Sequence, residues 1–180
     1  MRADAVSNRA RILDSAEQVF AAGDDASTEQ VARLAGVGIA TVFRHFPTKA
    51  ELLEAVLVTR LERLRDAAHD LGTATDPGAA LLRFFARIVA DADGKIAITE
   101  ALAAANGNSG AAERPGAELR YAVGELLERA QGAGEVRRDI QLDELYALIV
   151  GTSRGAVAMA LSPTGQRRML DVVFAGLRTA

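Results

Sequence analysis

The chain has 180 residues, enough for one large or two small domains around a buried core. Hydrophobic residues make up 49% and aromatics only 4%, so the core must be mostly Ala, Leu, Val and Ile; with four prolines and no strand-like alternation, this favours an all-α fold. A net charge of −3 excludes a global polycation, the absence of Cys excludes disulfides, zinc ribbons and thiol nucleophiles, and the lack of an apolar run of about 18 residues or an apolar leader argues against a membrane span or export signal.

The first helix is expected from about Ser7 to Ala22, because Ile12, Leu13, Ala16, Val19 and Phe20 recur at helical spacing. Gly23 is a natural stop, and Gly23-Asp24-Asp25 is turn chemistry. Ser27 stands three residues before Gln30, a capping-box pattern that opens a short second helix to about Ala35, with Val31, Ala32 and Leu34 apolar. Gly36-Val37-Gly38 breaks it, a third short helix runs Ile39 to His45, and Pro47 ends that region. Thr48 caps a long fourth helix to about Leu71, with Leu52, Leu53, Val56, Leu57, Leu61 and Leu64 on one face. Two short helices on a first, joined by a tight Gly turn, are the pattern of a helix-turn-helix. Gly72 to Gly78, with Asp76-Pro77, reads as a linker, and further helices are expected near 78–92, 95–105, 115–132, 142–161 and 164–178. Asn106 to Pro115 is small and polar and reads as mobile. The expected organisation is a DNA-binding domain over 1–50, a connecting helix over about 48–71, and a second helical domain over 72–180.

The third helix carries the chemistry. Wound at about 100° per residue, Val42 and Phe46 face the core, Ile39, Ala40, Phe43 and Arg44 fall opposite, and Thr41 and His45 form a stripe between. From Gln30 to Ala50 there is no acidic residue, while Arg33, Arg44, His45 and Lys49 are present. A locally acid-free helix with a basic edge suits a major groove. Arg44 can reach guanine O6 and N7, and Ile39 and Ala40 can touch thymine methyls. Thr41, His45 and Lys49 can bond phosphates, and backbone N–H groups near Thr28 and Gly38 add phosphate sites. Generic core periodicity would not require Arg44, His45 and Lys49 on the non-core side of a short helix.

The run GVGIATVFRHFPTKAELL from Gly36 to Leu53 closely resembles the helix-turn-helix of the TetR family, and ARILDSAEQVF and STEQVARLAG resemble that family's first two helices. The likeness is strong over about the first 60 residues. It is looser beyond, where Arg129 to Gly155 is the most family-like stretch. Two positions depart: Gly38 stands where the family often has Ser or Thr, and Phe43 where it usually has Tyr. Gly at an N-cap costs a few tenths of a kcal/mol relative to Ser, and the missing hydroxyl leaves Phe43 with apolar contact alone. The resemblance implies an all-helical, cytoplasmic transcriptional regulator with no cofactor.

Other readings fare worse. Asp91, Asp93, Gly94, Ile96 and Glu100 fall at EF-hand positions, but Val89 stands at the first ligand position and no second loop pairs with it. The segment is expected to be a helix–helix corner with Gly94 stopping one helix. Of the two histidines, His45 and His69, the first belongs to the recognition motif, and no Ser-His-Asp spacing, P-loop or GxGxxG before a helix is present, so an enzyme is not expected. A purely helical scaffold protein would have the same composition but would not bind DNA.

A single helix-turn-helix binds weakly, so a homodimer on an inverted-repeat operator is expected. Leu145, Leu148, Ile149, Thr152, Ala156 and Met159 offer an apolar face, with Gly151 and Gly155 allowing close approach, and the last helix adds Met169, Val172, Val173 and Leu177. Phe84, Phe85, Ile88, Leu102 and Tyr121 are candidates to line a pocket for a largely apolar small-molecule effector.

Overall fold

In the computed structural model, which describes residues 2–22 and 26–179, the chain forms nine α-helices among the described residues: α1 (Arg2–Ala21), α2 (Thr28–Ala35), α3 (Ile39–His45), α4 (Lys49–Leu71), α5 (Pro77–Ala90), α6 (Ala92–Ala104), α7 (Glu113–Gly132), α8 (Leu142–Ala158) and α9 (Pro163–Leu177). The expected stop at Gly23 and turn through Asp25 lie outside the described residues.

Local chemistry explains most boundaries. Ser27 caps α2: its hydroxyl accepts the Gln30 N–H at 3.3 Å, and the Gln30 side chain accepts the Ser27 N–H at 2.9 Å. Thr48 accepts the Glu51 N–H at 3.1 Å and opens α4. Asp76 accepts the Ala79 N–H at 2.7 Å with Pro77 in the first turn of α5, and Ser162 with Pro163 repeats the device at α9. One expectation is corrected. Gly94 does not stop a helix; it sits inside α6, and the break falls at Asp91, whose N–H still reaches the Arg87 carbonyl at 3.1 Å. Between α6 and α7, Gly110–Ala112 forms a 310 turn, Ala112 is buried, and Glu54 accepts the Ala111 N–H at 3.0 Å.

The chain divides into two compact units, Met1–Leu61 with Gly94–Pro115, and Glu62–Asp93 with Gly116–Ala180. In the first, α1 packs on α2 and α2 on α3 around Ile12, Phe20, Val31, Val42, Leu52 and Leu53, with Ile98 and Leu102 of α6 buried in the same unit. Each fully buried Leu, Ile or Phe removes enough apolar surface to contribute about 1.5–3 kcal/mol. Arg60, almost wholly buried, pairs with Glu17 at 2.8 Å. A Cβ on Gly107 would lie 2.3 Å from Leu102 Cδ1 and 3.1 Å from Ala50, so a larger residue there would have to displace the buried Leu102 side chain.

In the second unit, α5 packs on α8 and α9 around Phe84, Phe85, Leu81, Leu126, Leu145 and Leu177. Phe85 meets Phe174 edge-on with ring centroids 5.5 Å apart. Arg65 of α4 donates to Glu118 of α7 at 2.7 Å. Residues 177–179 run back along 134–137: Arg137 N–H reaches the Leu177 carbonyl at 3.0 Å and an isolated bridge pairs Val136 with Arg178.

Candidate nucleic-acid interface

The turn between α2 and α3 is three residues long and tightly bonded. Gly36 is left-handed at φ +64°; its N–H reaches the Arg33 carbonyl at 3.2 Å, and the Val37 N–H reaches Ala32 at 3.0 Å. This paired closure of a helix end is a Schellman motif, which needs a residue tolerant of positive φ. Gly38 then opens α3 with extended backbone and no side-chain cap. Val42 and Phe46 anchor α3, at 0% and 4% exposure, while Ile39 and Phe43 stand out at 37% and 44%. Ala40 and Arg44 are exposed beside them, and Thr41 and His45 are half-buried at the flank. The exposed stripe thus carries two large apolar side chains and one guanidinium, with no carboxylate from Gln30 to Ala50.

Lys49 is exposed at the start of α4, where its ammonium donates to the Ala26 carbonyl at 3.0 Å and lies 5.1 Å from the centre of the Phe20 ring. A four-carbon stem at a helix start reaches a nearby bare carbonyl as readily as it reaches solvent. Thr28 is buried in the first turn of α2, and Ser27 already accepts the Gln30 N–H there.

Two residues missed by the sequence reading bear on the geometry. Arg11 of α1 donates through Nη2 to the carbonyls of Ala35 and, at 3.3 Å, Gly36. The Arg9 guanidinium lies 5.2 Å from the centre of the Phe46 ring. Their signal was faint, because an arginine on the first helix looks like any solvated surface charge.

The expected effector-pocket residues do not come together as one set. Phe84 and Phe85 are fully buried in the second unit and Ile88 is half-buried there, but Tyr121 is 68% exposed and Leu102 is buried in the first unit. The expected dimer face also divides. Leu145, Ile149, Ala156 and Leu177 are buried in the chain's own core, whereas Leu148, Gly151, Met159 and Val172 are exposed, and Thr152, Gly155, Met169 and Val173 lie between. Helices with apolar residues on more than one side give no sequence cue to which side faces in.

No group of three or more His, Cys, Asp or Glu residues that could hold a metal occurs among the described residues. The segment resembling an EF-hand loop is helical on both sides of Asp91, without the extended loop that calcium ligation needs. Among the described residues, no helix is long and apolar enough to cross a membrane.

Comparison with known proteins agrees with this geometry. Residues 12–56 match the family model described as bacterial regulatory proteins, tetR family, and residues 76–179 match that of the transcriptional regulator SbtR-like C-terminal domain. The chain is 37% identical to a TetR transcription regulatory protein from Mycobacterium vanbaalenii whose crystal structure aligns over 99% of both chains with a TM-score of 0.82. It is 32% identical to the TetR transcriptional regulator SCO0520 from Streptomyces coelicolor, aligned over 96% of this chain and 99% of that one with a TM-score of 0.79. Over 73 residues, 39% of this chain, it is 45% identical to the HTH-type transcriptional regulator SrpR of Pseudomonas putida. The match spans 34% of that protein and 54% of the curated relative TtgW from the same species.

Proposed function

The chain belongs to the TetR family of bacterial transcriptional regulators, and on that premise we propose that it is a cytoplasmic repressor, binding an inverted-repeat operator as a homodimer and released by a small apolar effector. The observation that carries this reading is α3: a short helix, free of carboxylates, fixed by Val42 and Phe46 and presenting Ile39, Ala40, Phe43 and Arg44 outward. Arg44 reads guanine, the apolar residues meet thymine methyls, and Thr41, His45 and the backbone start of α3 at Gly38 position the helix on phosphates. Residues 1–50 supply DNA reading and 72–180 supply dimerisation and effector binding, with α4 between them as the lever.

The dimer face is narrowed to the outward residues of α8 and α9. Leu148, Met159 and Val172, at 38%, 73% and 75% exposure, are large apolar side chains left on the surface, and Gly151 permits close approach. Sedimentation of the wild-type protein is expected to give a dimer, and Met159→Glu with Val172→Glu a monomer that still melts cooperatively. The effector is expected to open space beside Phe84, Phe85 and Ile88 and to weaken operator binding by its differential affinity for the two states.

The test is selection of duplexes from a randomised pool, followed by affinity measurement over a salt series. An enriched two-fold-symmetric sequence with salt-dependent affinity supports the reading. Failure to enrich any sequence favours a helical scaffold protein. A thermal-shift screen of metabolites then finds the effector, because a native-state ligand raises the melting temperature. A hit that leaves operator affinity unchanged would refute the release mechanism.

A further inference from the structure

We propose that Arg11 is a positioning residue for sequence reading: from α1 it locks the turn that aims α3, without touching DNA itself. This rests on α3 being the element that reads bases. A helix ends with carbonyls that have no intrahelical partner. At the end of α2, those of Ala32 and Arg33 are taken by the N–H groups of Val37 and Gly36. Those of Ala35 and Gly36 are taken by the Arg11 guanidinium. A cation at a helix C-terminus is also favoured by the helix dipole.

Other contacts make this a fitted clamp. Arg11 Nη1 donates to Asn8 Oδ1 at 3.3 Å, one turn back on α1, so the guanidinium is held on both edges. A Cβ on Gly36 would lie 3.2 Å from Arg11 Nη2, so glycine there serves the positive φ and the approach of the arginine together. Two residues on, a Cβ on Gly38 would meet nothing within 4 Å, and Gly38 has no side-chain cap. The turn is thus clamped on its α2 side and free on its α3 side. At the far end of α3, Phe46 donates its N–H to Val42 at 2.8 Å and lies beneath Arg9. One helix, α1, thus holds both the end of α2 that leads into the recognition helix and the residue that closes it.

Base reading needs its side chains held to within about 10–20°. Without Arg11, Gly36 and Gly38 become a two-glycine hinge, and α3 samples poses in which Arg44 misses its base. Contacts with phosphate tolerate such wobble. Arg11 should therefore govern discrimination more than overall adhesion.

The experiment uses the full chain and a duplex selected by the wild-type protein, with a scrambled duplex as control. Affinities are measured over a salt series for wild type, Arg11→Ala and Arg11→Lys, with melting temperatures alongside. Arg11→Ala is expected to lose on the order of tenfold affinity for the selected duplex, the scale of a lost hydrogen bond to a charged group. Its affinity for the scrambled duplex and its salt slope should be unchanged. Arg11→Lys, which keeps one donor at the turn, should recover part of the discrimination. The inference is overturned if Arg11→Ala binds the selected duplex as tightly as wild type. It is also overturned if the loss is equal on both duplexes with a slope lower by about one per subunit, because Arg11 would then be a phosphate contact. If Arg11→Ala melts early, Arg11→Lys decides: equal loss on both duplexes overturns the inference, and loss confined to the selected one supports it. If the wild type selects no duplex, the DNA-reading assignment of α3 itself falls, before the variants are compared.

Discussion

Replacing Lys49 with alanine removes an ammonium that donates to the Ala26 carbonyl at 3.0 Å and lies 5.1 Å from the Phe20 ring centre. A hydrogen bond involving a charged group contributes about 1.5–3 kcal/mol, and an exposed cation–π contact about 0.5–1 kcal/mol. Lys49 is exposed, so water recovers much of both in the variant, and the net cost should be about 1–2 kcal/mol. For a chain of this length each kcal/mol shifts the melting temperature by about 2–4 °C, which gives a loss of about 2–8 °C by thermal unfolding. Lys49→Met, which keeps most of the stem, should recover the part due to packing on Phe20. Because the ammonium is engaged within the protein, the salt slope of operator binding should be unchanged in Lys49→Ala. An unchanged melting temperature together with a slope reduced by about one per subunit would refute this account, and would mean that Lys49 leaves Ala26 for a phosphate when DNA binds.

Arg44→Ala should cost about 1–3 kcal/mol on the selected duplex and relax preference at one base pair per half-site, measured on a panel of single-base variants. Ser27→Ala removes the cap on α2 and should cost about 1 kcal/mol of stability, read as a lower midpoint in urea. The Ala79 N–H bond, followed by Glu135 and the charges of Arg83 and Arg178, holds the Asp76 carboxyl below its ordinary value of 3.8 despite some desolvation. A depressed folded pKa gives stability that is complete above the unfolded value and lost as pH falls through the folded one. Asp76→Asn keeps the cap but not the charge, so its urea midpoint should lie below wild type at pH 7, and the difference should shrink as pH falls below about 4.

The sequence was most informative where structure is decided within a few residues. Ser27 and Gln30 form their reciprocal cap, Gly36 takes the left-handed turn, and Val42 and Phe46 are buried four residues apart. Each depends on neighbours in the chain, so spacing alone conveys it. What could not be read depends on partners far away. Leu145 and Leu148 look alike in sequence, yet one is fully buried and the other 38% exposed, because α5 and α9 pack on one side of α8. Gly94 looks like a helix stop, but a Cβ there would meet Ala21 at 3.2 Å, so its smallness serves packing inside a helix. Lys49 and Arg11 look like solvent-facing charges, and their carbonyl partners lie 23 to 25 residues away.

The discontinuity of the first unit has a consequence for the order in which the protein is made. Residues 94–115 are fastened to the first helices by Gly94 against Ala21, Gly107 against Ala50, and Glu54 on the Ala111 N–H. When a ribosome has delivered α1 to α4, Ile98 and Leu102 do not yet exist, so the core that they help to fill stays incomplete. The first unit is complete only after α5, which belongs to the other unit, has emerged and α6 has followed it. Such sequence-distant closure slows folding and leaves apolar surface open meanwhile. A polypeptide cut after Leu61 would lack Ile98 and Leu102 from that core altogether.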